Sequence, residues 1–465
     1  MEGLSVGIVG GGFSGTMTAF HLARAGAARV LLFEKEGRFA RGAAYGSRCE
    51  RHLLNVPAGN MSALPDERSH FLDWLQRRDP SAGPGTFAPR MVYGEYLDEF
   101  LAAAVERGAV ELVRDEVVDV EGDARRVLRA AGGRRFDVDR VVLALGNPPP
   151  SVPAGVTVSG GSRGFVANPW SPGALDGLGE DEPILLIGAG LTAVDVVVEA
   201  LARGHRGRIV AISRHGLLPQ PHRPGAGPPR PPSLPAGQPT TARSLLRMIR
   251  SDVDRHQAEG GDWRAVVDGL RPCTQDLWRA LGRDERLRFL RHLASRWDAR
   301  RHRIAPEIDR KITEAMDDGR LEVVAGRIAR IVEKGGGLAA SWTRRGRREA
   351  EEWTFARVIN CTGPARDVRA GAPALIRSLL DRGVARPGPL LLGLDVAPSG
   401  ALIDARGVAS DSVFAVGPML KEDLWETTAV PELRSQARDL AARLVDPTRE
   451  RETDGGSRRR SDPPS

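Results

Sequence analysis

Ser5-Val-Gly-Ile-Val9-Gly10-Gly11-Gly12-Phe13-Ser14-Gly15-Thr-Met-Thr-Ala-Phe20-His-Leu-Ala-Arg-Ala25-Gly-Ala-Ala-Arg29-Val-Leu-Leu-Phe33-Glu34 decides how the chain is read. Five mostly apolar residues enter a glycine-rich turn; a helix-like run, a second apolar strand and an acid follow. Gly10 permits the tight turn, Gly12 lets a pyrophosphate approach the backbone, and Gly15 lets helix and strand pack closely. Phe13 and Ser14 open the helix, where free N–H groups and the dipole favour an anion. Glu34 is placed to accept hydrogen bonds from ribose hydroxyls, and Lys35 beside it is counted with the cofactor-binding set. GxGxxG alone is a weak signal; strand, turn, helix and acid together make a specific dinucleotide fingerprint.

A second unit of this kind begins at Pro183-Ile-Leu-Leu-Ile187. Its turn is Gly188-Ala-Gly190-Leu-Thr192-Ala193, a helix is expected over 193–202, and the next strand over 208–212. That strand ends in Ser213-Arg214-His215 and not in an acid. A basic residue here suits a 2′-phosphate, so the second unit is expected to take NADP in preference to NAD.

Between and after these units come further strands that end in glycine. Val141-Val-Leu-Ala-Leu-Gly146 runs into three prolines, Arg357-Val-Ile-Asn-Cys-Thr-Gly363 repeats the form, and Val413-Phe-Ala-Val-Gly417 does so again. Glycine there lets a cofactor approach, and proline stops the strand. Residues 110–120 and 135–137 read as strands of a smaller meander, 69–75 and 93–105 as helices. Residues 218–238 are rich in proline and glycine and read as a linker. Residues 241–316 read as helical throughout; strands are expected again at 321–324, 328–332, 338–342, 390–394 and 402–404. A helix is expected over 432–444, with Pro431 in its first turn, where no N–H is required. From 446 the chain is polar and expected to be disordered.

No apolar run is long enough to span a bilayer, and the amino terminus enters a strand directly, so neither a membrane partner nor a signal peptide is expected. Cys49, Cys273 and Cys361 are isolated. They form no disulfide framework, CxxC pair or zinc pattern, which points to a cytoplasmic protein without a metal and against a disulfide reductase. The net charge of +7 is local: residues 214–310 carry 19 arginines against 11 acids. Such a block suits an anionic small molecule or a cofactor phosphate, or is simply a solvated helical face. No nucleic-acid recognition module is present, so that partner is not expected. Arg288, Arg291 and His292 share one helical face. Arg291, His292, Arg301 and His302 are the candidate substrate contacts.

Taken together these segments resemble the two-dinucleotide-binding-domain flavoproteins, an α/β class with two Rossmann-like domains. More closely, the chain resembles the FAD/NAD(P)-binding proteins of the YdhS type. The match rests on Gly42-Ala-Ala-Tyr45, His52-Leu-Leu-Asn-Val-Pro-Ala58, Met61-Ser-Ala63, Arg288-Phe-Leu-Arg-His292, the Trp297–Pro306 stretch and Trp425-Glu-Thr-Thr-Ala-Val-Pro-Glu-Leu-Arg434. The resemblance implies FAD on the first unit, NADPH on the second and a helical insert. Residues 1–160 and 366–445 then form the FAD domain, 161–365 the NADP domain with its insert at about 240–316, and 446–465 a tail. It also implies that Gly146 and Gly363 lie at chain crossings near the cofactors, and that Gly417, Trp425, Thr427 and Thr428 close over the flavin ring.

Two departures stand out. Pro418 follows Gly417 where the wider class usually has an aspartate for the ribityl chain or phosphate. The histidine fingerprint of ketone-to-ester oxygenases is absent; Gly164-Phe-Val-Ala-Asn168-Pro-Trp170 stands in that region. The resemblance implies an NADPH-dependent flavin monooxygenase that passes oxygen from a C4a-(hydro)peroxide to a small molecule, with O₂ as co-substrate. An NADPH-driven reductase without oxygenation, and a non-catalytic FAD-binding interaction protein, remain as alternatives. Asn55, in a sharp turn before Pro57, is the candidate catalytic residue through an amide contact near flavin N5; a turn-capping role is the alternative.

Overall fold

A computed structural model describes residues 3–123, 125–153, 156–159, 164–233 and 241–446. The tail beyond 446, the boundary at 160/161 and the end of the proline-rich stretch, 234–238, lie outside them. In chain order the elements begin with β1 (Ser5–Val9), α1 (Phe13–Ala25) and β2 (Arg29–Phe33). Then come the one-turn α2 (Gly42–Tyr45), α3 (His70–Gln76), α4 (Arg90–Glu106) and β3 (Val110–Val113). β4 (Val117–Glu121), β5 (Arg126–Ala130) and β6 (Arg135–Val138) form an antiparallel meander, and β7 (Arg140–Leu143) follows.

Two short strands, β8 (Thr157–Ser159) and β9 (Phe165–Val166), lead to β10 (Ile184–Ile187), α5 (Leu191–Ala202) and β11 (Ile209–Ser213). The helical stretch comprises α6 (Ala242–Ala258), α7 (Trp263–Gly269), α8 (Thr274–Ala280), α9 (Arg283–His292), α10 (Ala294–Arg301) and α11 (Pro306–Asp317). After it come β12 (Leu321–Lys334), β13 (Gly337–Arg344), β14 (Ala350–Phe355), β15 (Arg357–Asn360) and α12 (Ala374–Asp381). β16 (Ala401–Ile403), β17 (Ala409–Ala415) and α13 (Val430–Val445) end the described chain.

Among the described residues, one sheet has the order β16-β17-β7-β1-β2-β3 and a second the order β14-β13-β12-β11-β10-β15-β9, with β8 beside β12. In each, the strand before the glycine turn is central and parallel to both neighbours: β1 to β2 and β7, β10 to β11 and β15. β1 and β10 are buried along their whole length, as parallel strands covered on both faces must be. The first sheet is completed from the far end of the chain, with Val413 level with Val141. α13 then packs on α1, burying Leu433, Ala437, Leu440 and Leu444 in the core that holds Met17 and Leu22.

Several local expectations change. Residues 110–113 are the parallel edge strand of the main sheet, not part of the meander. The two strands expected at 321–324 and 328–332 are one strand, β12, parallel to β11 in its first half and antiparallel to β13 in its second. Gly326 between them marks a close approach: a Cβ there would lie 2.8 Å from the Thr343 carbonyl oxygen. Residues 390–394 are not a strand, because the Leu390 and Leu392 N–H groups turn to the buried carboxylate of Glu422. Residues 218–222 are no free linker. Gln220 and His222 exchange backbone hydrogen bonds with Ala299 and Ile304.

Within 241–316 no described residue joins a sheet strand. The helices α6, α8 and α9 close a core of Leu245, Leu277, Trp278, Phe289 and Leu290. The last helix, α11, stands apart from that core. Its Ile308, Ile312 and Ala315 pack with Ala193 and Val197 of α5, so it serves as the crossover between β11 and β12. Among the described residues no helix is long and apolar enough to cross a membrane.

Candidate functional site

The two glycine turns are built alike. Gly10 and Gly188 have φ of 109° and 117°, a region that L side chains rarely adopt. A Cβ on Gly10 would lie 2.4 Å from the Ala144 carbonyl oxygen, and one on Gly188 2.5 Å from that of Cys361. Each turn is thus pressed against the neighbouring strand end. Gly15 is closer still, with its Cβ position 1.9 Å from the Gly10 carbonyl oxygen.

Gly12 and Gly190 differ. Each is the N-cap of its helix with no capping side chain, and neither α1 nor α5 has an acid in its first turn. A Cβ on Gly12 would meet only the backbone of Gly42, at 3.5 Å, and one on Gly190 would meet nothing within 4 Å. Two helix N-termini therefore present bare N–H groups and positive dipole ends beside open space, the arrangement that binds phosphate. Glu34 closes the first turn by accepting a hydrogen bond from the Gly11 N–H at 3.0 Å.

The carboxy-terminal segment lies over the first turn. Gly417 faces Ser14, whose Oγ would be 2.8 Å from a Cβ at that position. The Gly417 N–H donates to Gln436 Oε1, and the Gln436 amide donates to Thr427 Oγ1. The loop thus runs from above α1 to the start of α13, which has Pro431 in its first turn and no side-chain cap.

At the end of β11, His215 is surrounded by Arg214, Arg345, Arg296 and Arg327. Burial first, and then these guanidinium charges, hold its pKa below the usual imidazole range. Among the described residues none of the four arginines has a carboxylate within ion-pair distance, unlike Arg208, Arg344 and Arg386. Arg214 touches Ser295 Oγ at 3.5 Å. Ser213 Oγ accepts from the Gly216 N–H and keeps its own hydrogen free.

Comparison with known proteins puts this geometry in context. Residues 7–148 match the model of the FAD-NAD(P)-binding family. The reduced ornithine hydroxylase PvdA of Pseudomonas aeruginosa superposes with a TM-score of 0.62 at 17% identity, covering 96% of this chain and 99% of that one. An ornithine N-hydroxylase of Kutzneria sp. 744, solved with reduced FAD, NADP⁺ and L-ornithine, gives 0.58 at 14% over 97% and 100%. Thioredoxin reductase of Lactococcus lactis gives 0.51 at 13% over 96% and 99%. No curated protein matches the chain.

The chain has the two-dinucleotide-binding-domain flavoprotein fold.

In this fold the residues present fit both cofactors. Beside the first turn, the Tyr93 hydroxyl is fully buried with no partner among the described residues, and its ring lies 6.5 Å from that of Phe13. Beside the second, buried Asn360 has no partner for Nδ2 among the described residues, and it stands level with Ile187 at the strand end before Gly188. Neither tyrosine nor asparagine stood out in the sequence, because an orphaned polar atom is visible only once its surroundings are. Thr192 and Ala193 lie in the first turn of α5. Gly146 and Gly363 have φ of 69° and 77° with open space at the Cβ position. Lys35 and Thr428 are exposed, whereas Thr427 is fully buried.

Trp425 departs from the flavin-facing expectation. Its ring stacks on Trp278 at 4.6 Å and meets Phe289 edge-on at 5.6 Å, so the side chain belongs to the helical insert's core. An aromatic side chain in a loop buries more surface against two other rings than against one face of a cofactor. The four candidate substrate residues do not form one pocket. Arg291 and His292 are exposed at the end of α9. Arg301 turns inward to an ion pair with Glu426 at 2.9 Å. His302 stands 4.0 Å from Asp298.

Asn55 lies in the turn before Pro57, and its side-chain amide makes no hydrogen bond among the described residues, contrary to a turn-capping role. Its carbonyl accepts from His222 Nε2 at 3.0 Å. That ring is neutral: burial, and secondarily Arg303, lower its pKa to about 4. In the unfolded chain the value returns to about 6.5. The stabilisation is therefore complete above pH 6.5 and is lost as the pH falls towards 4. A His222→Gln protein should lose less melting temperature between pH 7 and pH 5 than the parent. An identical decline in thermal melts of the two proteins would refute the assignment.

The motif around His52 meets α5, the helix of the second glycine unit. His52 is buried between Ser47 Oγ at 2.6 Å and the Asp195 carbonyl of α5 at 3.0 Å. Arg90 pairs with Asp195 at 2.9 Å, and Trp170 lies edge-on to His52.

Proposed function

We propose that the protein is an NADPH-dependent flavin monooxygenase that adds one oxygen atom to a small, amine-bearing metabolite. The observation that carries this is the cap on the carboxy-terminal loop. Trp278, Phe289 and Leu290 of the insert bury Trp425 and enclose the loop that starts above α1. A reductase needs no such shield, whereas oxygenation depends on keeping water from the reacting centre. Bound FAD, reduced by NADPH, would supply the oxygen activation.

The chain's own part is to bind, orient and exclude water. Gly10, Gly12, Phe13, Ser14 and Gly15 would hold the FAD pyrophosphate on α1, with Glu34 on the ribose. Gly188, Gly190 and Thr192 would do the same for NADPH, and Arg214 with its neighbouring arginines would take the 2′-phosphate. The uncapped start of α13 would stabilise negative charge on the flavin ring. The free amide of Asn55 would donate to the ring edge or to the substrate.

An amine follows the hydroxylases named above, which act on ornithine. The basic block is a poor guide to substrate charge, since Arg223, Arg230, Arg264, Arg271 and Arg303 are all paired with acids. Disulfide reduction of the thioredoxin reductase kind lacks its chemistry here, with one buried and two half-buried cysteines that are far apart in sequence.

The test is NADPH oxidation by the yellow holoprotein across a panel of amino acids, diamines and purines, with product masses measured. At least one panel member should gain a single oxygen. Peroxide release with every member, and no oxygenated product, would favour the reductase. A flavin that NADPH does not bleach would leave only a binding role.

A further inference from the structure

We propose that Glu426 is a positioning residue through which the helical insert sets the flavin-covering loop in its working conformation. The proposal rests on the flavin reading above. Glu426 is one of three non-glycine residues with positive φ among the described residues, at 67°. In this left-handed region the Cβ of a glutamate crowds the following carbonyl oxygen, and such strain persists only where the surroundings over-determine it.

Here both partners of the Glu426 carboxylate come from the insert. Arg301 Nε lies 2.9 Å from Glu426 Oε2, and the pair is almost wholly buried, at 10% and 7% side-chain exposure. Trp297 Nε1 donates to the other carboxylate oxygen. On either side of Glu426 the loop is held by the same helices. Trp278 stacks on Trp425 and donates its Nε1 to the Glu422 carbonyl at 2.9 Å. Arg271 makes a two-point pair with Glu432, at 2.7 and 2.8 Å.

These contacts converge from α8, α10 and the turn before α8 on one eleven-residue stretch, 422–432. That stretch joins Gly417, which faces Ser14 on the first dinucleotide turn, to α13, which packs on α1. Residues between an anchored glycine and an anchored helix need no further clamp for the fold alone. A strained backbone held by a buried ion pair, nine residues after the glycine that faces Ser14, preorganises the loop before FAD binds. Without the clamp, FAD must order the loop itself, which weakens binding by about tenfold for each residue released.

The experiment uses the full-length holoprotein. Removing only one partner strands a buried charge and risks unfolding, so the decisive variant is the double Glu426→Gly/Arg301→Met. Glycine relieves the left-handed backbone, and methionine keeps much of the buried arginine stem's volume. This variant should melt close to the parent yet hold FAD about tenfold less tightly and show a shifted flavin midpoint potential. Arg301→Lys, which keeps the charge, should retain FAD better than the double variant. Parent-like FAD affinity and potential in the double variant would overturn the proposal, as would Arg301→Lys binding FAD no better than the double variant. A colourless parent protein would overturn the flavin reading and this proposal with it. A yellow parent that never oxygenates leaves these flavin readouts intact, so the two failures are distinguishable.

Discussion

A Gly12→Val protein is expected to fold normally and to purify almost free of flavin. Gly12 has φ of −76° and ψ of −165°, an extended conformation that valine adopts readily. A Cβ there would touch only the backbone of Gly42, at an ordinary 3.5 Å. The fold has room for the first carbon, while the two methyl groups beyond it occupy the space in front of the α1 N–H groups. Loss of two charge-assisted hydrogen bonds to a pyrophosphate costs about 3–6 kcal/mol, or about two to four orders of magnitude in affinity.

Gly15 is the control. With a Cβ position 1.9 Å from the Gly10 carbonyl oxygen, any side chain there forces helix and strand apart. Gly15→Val should therefore fail to fold rather than fold without flavin. The ratio of visible flavin absorbance to protein absorbance, beside thermal melts of both variants, makes the distinction. Normal flavin content in Gly12→Val would show that the first turn does not hold the cofactor.

The second large effect is expected on the choice of nicotinamide cofactor. Arg214, Arg296, Arg327 and Arg345 surround His215 without a carboxylate partner among the described residues. Four like charges left uncompensated at a strand end cost stability unless an anion joins them. A 2′-phosphate on the adenosine ribose would do so, and NADH lacks it. Loss of one charged hydrogen bond costs about 1.5–3 kcal/mol, so Arg214→Ala should raise the KM for NADPH about 10- to 150-fold and leave NADH nearly unchanged. Because the remaining arginines still attract the phosphate, Arg214→Ala should fall at the lower end, and Arg214→Ala/Arg345→Ala well above it. Steady-state flavin reduction with both cofactors reads this directly. Equal use of NADPH and NADH by the parent would defeat the assignment.

Arg214 could be picked from the sequence because its position after a strand has meaning within one βαβ unit. Arg345 and Arg327 could not. They arrive from the β12–β13 hairpin more than a hundred residues later, and Arg296 arrives from the insert. In the sequence they are part of an arginine-rich background. What separates them from Arg230 or Arg303 is the lack of an acid nearby, and that depends on which helices and strands meet.

The same division explains the misplaced aromatic. Trp425 belongs to the segment that follows Gly417, the residue facing Ser14 on the first dinucleotide turn, and the sequence led to the expectation that it would meet the flavin. The direction of its ring was not legible, because Trp278 and Phe289, which claim it, lie in a different domain insertion. Arg301 was picked as a substrate contact by its charge. Its neutralisation by Glu426, across more than a hundred residues of chain, belongs to tertiary packing alone.

By itself the sequence determined the two glycine turns, the strands feeding them, the acid after one and the base after the other. Each of these is dictated within about thirty consecutive residues, by backbone sterics and by the alternation of strand, turn and helix. Tertiary structure alone decided that α11 is a Rossmann crossover while α6–α10 form a cap, that residues 218–222 pin the Asn55 turn, and that Glu426 is held strained by the insert. Those outcomes depend on which distant surfaces satisfy one another's polar groups and bury one another's apolar faces, and no local pattern carries that information.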